Sequence, residues 1–100
     1  MRGIFDNKLT DWEREEYKSL KQWQKEQGLR ITQCERSGIT IARIPHGGKF
    51  DRVAIAYCNQ LDKFNKKRGK FEAMKRLDYR QYMLLPRYIG PELESVLELL

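Results

Sequence analysis

With a single histidine, two cysteines and three prolines in 100 residues, the sequence lacks the side chains on which several kinds of chemistry depend. His46 is the only imidazole, and Cys34 and Cys58 form no CxxC pair, so a zinc site has almost no ligands to draw on. No serine or cysteine has an evident base partner, and His46 would have to serve any such role, which argues against an enzyme. Gly47-Gly48 after His46 lacks the surroundings of a phosphate loop, and no cofactor is expected. Two cysteines are too few for a disulfide framework. Lying in apolar, strand-like stretches, they read as small buried hydrophobes, both free thiols in a reducing compartment. Long hydrophobic runs are missing as well. Nothing approaches the ~20 apolar residues that span a bilayer, and Met1-Arg2-Gly3-Ile4 opens no run of signal-peptide length. The expectation is a cytoplasmic protein with no membrane partner. No internal repeat or low-complexity segment is visible.

Charge, by contrast, is abundant. Charged residues make up 34% of the chain and hydrophobic residues 40%, enough for one modest core in a single domain covering residues 1–100. The formal net charge is +6, and it is concentrated. Lys63, Lys66, Lys67, Arg68, Lys70, Lys75, Arg76 and Arg80 face only Glu72 and Asp78 within residues 63–80, so this segment carries the whole excess. A local basic patch points to a polyanionic partner more strongly than a diffuse excess does. A helix with a solvated lysine face is the plain alternative.

The period of the apolar residues divides the chain. Residues 1–9 form an N-terminal arm. Thr10, with Glu13 three residues on, is a capping box that opens a helix. Trp12, Leu20 and Trp23 fall on one side of it with Tyr17 beside them. Arg14, Glu15, Lys18, Lys21, Gln22 and Lys25 occupy the solvated side. Gly28 suits the left-handed residue that ends it. Leu29–Glu35, Ile39–Ile44 and Arg52–Cys58 are β-branched and alternating, and read as an antiparallel three-stranded meander. Ser37-Gly38 makes the first turn, and Pro45, His46, Gly47 and Gly48 open a longer loop before the third strand. Val53, Ile55 and Tyr57 are expected to face the helices. Ala54, Ala56 and Cys58 are expected to face away. After a turn over 59–65, in which Asp62 is a candidate cap, a second helix runs from about Lys66 to Gln81. Ala73, Met74 and Leu77 line its inner face with Phe71 at the edge, and Gly69 marks a close approach. Pro86 stops that helix within the apolar stretch Tyr82–Tyr88. Gly90-Pro91 opens a last helix over 89–100, with Leu93, Val96, Leu97 and Leu100 apolar. The fold class is α+β, a two-layer α-β-β-β-α domain with an extra C-terminal helix.

Lys66-Lys67-Arg68-Gly69-Lys70 stands at the start of the second helix, where free N–H groups and the helix dipole are already positive. Lysines there disfavour the helix unless an anion offsets them, and phosphate is the obvious one. This run, with Ala73 and Lys75 after it and the α-β-β-β-α order around it, resembles the double-stranded RNA-binding domain. That resemblance implies that Lys66, Lys67 and Lys70 grip phosphates across a groove, with Gly69 where the family has alanine. Ala56-Tyr57-Cys58-Asn59, followed by Asp62, Phe64, Lys67, Gly69, Ala73 and Arg76-Leu77, is similar to a pattern in small tailed-bacteriophage accessory proteins. That likeness implies a viral source, the cytoplasm of a host cell, and binding either to nucleic acid or to a host enzyme or defence protein.

The resulting expectation is a non-catalytic basic protein that binds RNA or DNA backbone. Lys66, Lys67, Arg68 and Lys70 would hold phosphates, helped by Lys63 and Lys75, with Arg76 and Arg80 in the same basic surface. The alternative is an inhibitor that uses this surface to bind a host protein. Tyr79, Tyr82 and Tyr88, set among Arg80 and Arg87, suit stacking on bases or a protein hot spot equally. Trp12 and Trp23 read as core, with an exposed aromatic patch for a protein partner as the other option.

Overall fold

The computed structural model describes residues 8–58 and 63–99. Helix α1 spans Asp11–Glu26 and strand β1 Arg30–Cys34. Strands β2 and β3 span Ile39–Gly47 and Phe50–Tyr57, and helix α2 spans Lys66–Asp78. Strand β4 (Met83–Pro86), a single 3-10 turn over Arg87–Ile89 and helix α3 (Gly90–Leu99) complete the α+β fold. The sheet is antiparallel throughout, in the order β1-β2-β3-β4. The expected meander is therefore present, extended on the β3 side by a fourth strand. The expected cap Asp62, Asn59 in the preceding turn and residues 1–7 of the arm lie outside the described residues, as does Leu100.

The ends of α1 follow from local chemistry. Thr10 Oγ1 accepts from the Glu13 amide, and the Glu13 carboxylate accepts from the Thr10 amide, closing the capping box. At the other end the amides of Gly28 and Leu29 donate to the carbonyls of Lys25 and Gln24, and Gly28 takes φ +89°. This is a Schellman ending, in which glycine carries the left-handed position without a Cβ penalty. α2 ends the same way three residues earlier than expected: the Arg80 and Gln81 amides donate to the Leu77 and Arg76 carbonyls. Here the left-handed residue is Arg80, at φ +61°. Pro86 thus does not stop the helix. It closes β4, an edge strand, where a missing N–H costs no ladder bond. The expected longer loop before β3 is a tight hairpin, because Gly47 pairs with Phe50 and leaves only Gly48-Lys49 at the tip. A register shift between Pro45 and Gly47 marks His46 as the bulged residue.

The packing inverts two expectations. Ala42, Ile44, Ala54 and Ala56 face the helices and form a core cluster with Ala73 and Leu77 of α2. Val53 and Ile41 are buried on the opposite face, with Cys34, Ile39, Ile55 and Leu85, while Tyr57 is 74% exposed. Side-chain size misleads here because the decisive quantity is how closely α2 approaches. A Cβ at Gly69 would collide with Thr40 Oγ1 and meet Gln33 Nε2 at 3.0 Å, so the expected close approach is real and alanines beneath it are what fits. The second inversion is on α1. Tyr17, Leu20 and Gln24 are buried, whereas Trp12 is 88% exposed and Trp23 48% exposed. A second cluster of Leu9, Tyr17, Leu20, Phe71 and Met74 joins the two helices. Phe71 is fully buried within it, not at the edge, with its ring edge-on to Tyr17 at 6.4 Å. Cys34 and Cys58 are not joined in a disulfide, and both are only half-buried. α3 lies against β1, with Leu93 half-buried and Val96 exposed. No helix among the described residues is long and apolar enough to cross a membrane.

Candidate nucleic-acid interface

α1 and α2 lie side by side, Glu13 next to Arg68 and Gln24 next to Met74, so they run in roughly the same direction. The start of α2 is fixed from three sides. The Asn65 side chain caps it by accepting from the Arg68 amide at 2.9 Å. Gln33 Nε2 donates to the Lys66 carbonyl at 2.9 Å and to Thr40 Oγ1 at 3.0 Å, tying the first turn to the sheet. The first turn carries no acidic residue, so its dipole and its lysines have the same sign.

On one side of this helix pair the charges are consumed internally. The Arg68 guanidinium donates to both Glu13 oxygens at 2.6 and 2.7 Å, to Glu72 at 3.2 Å and to the Lys8 carbonyl at 3.2 Å. That fork holds the Glu13 carboxyl down at about 2, because its charged form receives the Arg68 hydrogen bonds and those of the Thr10 cap. The same contacts raise the Arg68 guanidinium above its ordinary range, led by the hydrogen bond to Glu13. Arg76 Nη1 donates to the Ile55 carbonyl at 2.5 Å and so fastens α2 to β3. Lys75 Nζ sits 4.9 Å from the Phe71 ring centroid and 5.9 Å from that of Tyr79.

On the other side the lysines converge. Lys21 of α1 and Lys67 of α2 flank the same Tyr17 ring, at 5.9 and 5.6 Å from its centroid. A groove of about 360 Å³ runs beside them, with Leu29, Ile31 and Met74 as its apolar floor and Lys21, Lys25 and Lys70 along its walls. Lys66 and Lys67 are exposed at the start of α2. Among the described residues, the ion pairs found involve none of Lys21, Lys25, Lys66, Lys67 and Lys70.

Of the eight cations expected to act together, then, Lys70 lines this groove and Lys67 stands beside it at the Tyr17 ring, while Lys66 is exposed at the start of α2. Lys63 is exposed in the segment just before α2. Arg68, Lys75 and Arg76 have their charge directed at protein partners, and Arg80 sits at the far end of the helix in its capping role. Lys21 and Lys25, which the sequence pattern gives to the solvated face of the first helix, line the groove with Lys70. Their signal was present in the spacing Tyr17, Lys21, Lys25, which repeats every four residues and so stacks one aromatic and two cations on one helical stripe. His46 is exposed in its bulge, and the described residues contain no group of three His, Cys, Asp or Glu side chains able to hold a metal ion.

No model of a known protein family, no curated protein and no solved structure matches the chain.

Proposed function

We propose that the protein binds nucleic acid by its phosphate backbone, along the lysine-walled groove between α1 and α2. Lys21 and Lys25 of α1 and Lys70 of α2 line it, Lys67 stands beside it at the Tyr17 ring and Lys66 is exposed at the start of α2, whose N-terminus adds N–H groups of the same sign. The observation that supports this reading is the convergence of lysines from two separate helices on one groove that no ion pair found among the described residues draws on. Such a surface positions a backbone and reads little sequence. The ammonium groups of Lys21 and Lys67 stand 5.9 and 5.6 Å from the Tyr17 ring centroid, so a lysine from each helix is held at the same place.

The test is the salt dependence of duplex binding. Each neutralised phosphate releases a condensed counterion, so affinity should fall steeply as salt rises. Replacing Lys21, Lys67 and Lys70 by alanine should flatten the slope of log affinity against log salt by up to ~3 and weaken binding alike across sequences. Absence of retention on RNA or DNA duplexes at low salt would remove this reading.

A second reading, a protein partner, has one observation in its favour. Trp12 and Trp23 are eleven residues apart, about three helical turns, so both lie on one exposed stripe of α1. Large exposed aromatics are frequent anchors of protein interfaces. Recovery of one stable protein band from a nuclease-treated lysate, lost on Trp12→Ala and unaffected by the lysine changes, would favour it.

A further inference from the structure

The groove between α1 and α2 carries features that a track of phosphates does not use. Leu29 and Ile31 pack against two core clusters, yet each stays half-buried and lines the groove. Met74 of α2 completes this apolar floor. Gln33 borders it as well. Its Nε2 donates to Thr40 Oγ1 at 3.0 Å and to the Lys66 carbonyl at 2.9 Å. Both amide protons are thereby spent inside the protein, and what Gln33 can offer a ligand is its carbonyl oxygen, an acceptor.

A duplex makes little use of such a floor. Its phosphates are outermost and its bases are paired and stacked, so it meets the lysine rim with phosphates and offers base edges, not base faces, to what lies below. An unpaired base is different. It has two apolar faces, and in a single strand it can be splayed out while the phosphates on either side stay in solvent. Lys21 and Lys25 are four residues apart on α1, and Lys67 and Lys70 three apart on α2, so each pair shares one helical stripe and cations flank the floor from both helices. A positively charged track beside apolar surface is the arrangement that holds single strands. Here that surface is aliphatic, because the Tyr17 ring is buried and flanked by Lys21 and Lys67.

We infer that the groove takes an unpaired nucleobase of a single-stranded nucleic acid, its face on Leu29 and Ile31 and its flanking phosphates on Lys21, Lys25, Lys67 and Lys70. The assignment rests on the phosphate-binding reading and adds the strand form that the groove prefers. Gln33 Oε1 accepts from the Watson–Crick edge of the base. Every base carries at least one donor on that edge, so this bond steadies the base without choosing among the four, in keeping with a surface that reads little sequence.

The test adds the full chain to three labelled oligonucleotides of equal length and follows their anisotropy. They are a polythymidine strand, the same backbone built of abasic residues, and a duplex. The first two carry the same phosphates, so their salt slopes should agree, while polythymidine should bind about tenfold more tightly. The duplex reports on the lysine rim alone. Methyl NMR of the parent locates the contact without any substitution: the Leu29 and Ile31 methyl resonances should shift with polythymidine and stay in place with the abasic strand. Ile31→Thr should bring polythymidine down to the abasic affinity, with an unchanged duplex affinity showing that the variant is folded. Polythymidine and abasic strands that bind alike, or a tighter polythymidine that leaves both residues' methyls unmoved, would overturn this inference and leave the phosphate reading standing. Duplex retention, and its loss on the Lys21, Lys67 and Lys70 triple alanine variant, test that reading separately. No retention of any of the three oligonucleotides at low salt would remove both.

Discussion

The two flanks of the α1–α2 pair differ in what their positive charges do. On one flank Arg68 is locked between Glu13 and Glu72, Arg76 is spent on a sheet carbonyl, and Lys75 is turned over aromatic rings. On the other, lysines from both helices rim a groove, and no ion pair found among the described residues engages them. In sequence these residues are interleaved, since Arg68 sits between Lys67 and Lys70. One helical turn separates a structural cation from a solvent-facing one, and total charge in a segment therefore overstates its binding surface. The two arginines of that flank are held by hydrogen bonds to protein acceptors, in keeping with a planar fork that satisfies several acceptors at once where an ammonium group offers a point charge.

The largest expected effect tests the packing that sets the two flanks apart. Phe71 is fully buried between the helices, so Phe71→Ala should cost about 3–5 kcal/mol, enough to threaten a domain of this size. Trp12→Ala, at a position 88% exposed, should stay within about 0.5 kcal/mol. Denaturant titration of both variants checks the order. A Trp12 variant as unstable as the Phe71 variant would mean that α1 packs through its tryptophans after all.

Next in size is a pair of substitutions that separates the two kinds of cation. Arg68→Ala removes a charge-assisted fork and leaves Glu13 with its cap alone, and should cost about 1–3 kcal/mol. The salt slope of nucleic-acid binding should not change. Lys67→Ala should do the opposite, with little loss of stability and a slope lower by about 1. If both variants lowered the slope equally, the distinction between the flanks would fail.

The same fork gives a pH signature. Glu13 is held at about 2 in the folded protein against an ordinary 4.5, so its folded-state pKa is depressed. Its contribution to stability is complete above about pH 4.5 and is lost as the pH falls from there toward 2. With its side chain 26% exposed, solvent screening holds that contribution to roughly 1–2 kcal/mol. Melting temperatures measured from pH 6 down to about pH 2 should show the loss, and Glu13→Gln should remove it from that interval.

The reach of sequence reasoning is uneven for physical reasons. Capping and turn chemistry are local, so the Thr10–Glu13 box, the Gly28 ending and the close approach at Gly69 were all legible. Which face of β3 meets the helices was not, because period two gives two faces and only the approach of α2 decides between them. The tryptophans misled for a related reason: hydrophobic size marks candidates for burial, but the register between α1 and α2 chooses Tyr17, Leu20 and Gln24. β4 is four residues long and contains a proline, so neither periodicity nor propensity registers it, and pairing with β3 alone creates it. At the candidate site the basic run of α2 could be read directly. The contribution of Lys21 and Lys25 required knowing that the two helices lie in parallel, and the partners of Arg68 lie 55 residues away in sequence at Glu13 and four away at Glu72.

The smallest expected effect concerns Arg80, a cation that belongs to neither flank. It occupies the left-handed position of the Schellman ending of α2, φ +61°, where a side chain costs about 1–2 kcal/mol relative to ordinary backbone. Glycine would relieve that cost and lose roughly 0.5–1 kcal/mol through greater freedom in the unfolded chain. Arg80→Gly should therefore stabilise the protein by about 0.5–1 kcal/mol, and Arg80→Asn by less, since asparagine only tolerates the conformation. A side chain as exposed as Arg80 contributes little packing to set against this gain. The substitution also removes one charge from the basic segment, so it carries a second reading. With Arg80 at the far end of α2 from the groove, the salt slope for duplex binding should match the parent. A variant that is more stable but binds with a slope lower by about 1 would show that the phosphate track extends along the whole helix. A destabilised variant would show that the arginine side chain itself, and not the backbone it strains, holds the end of α2.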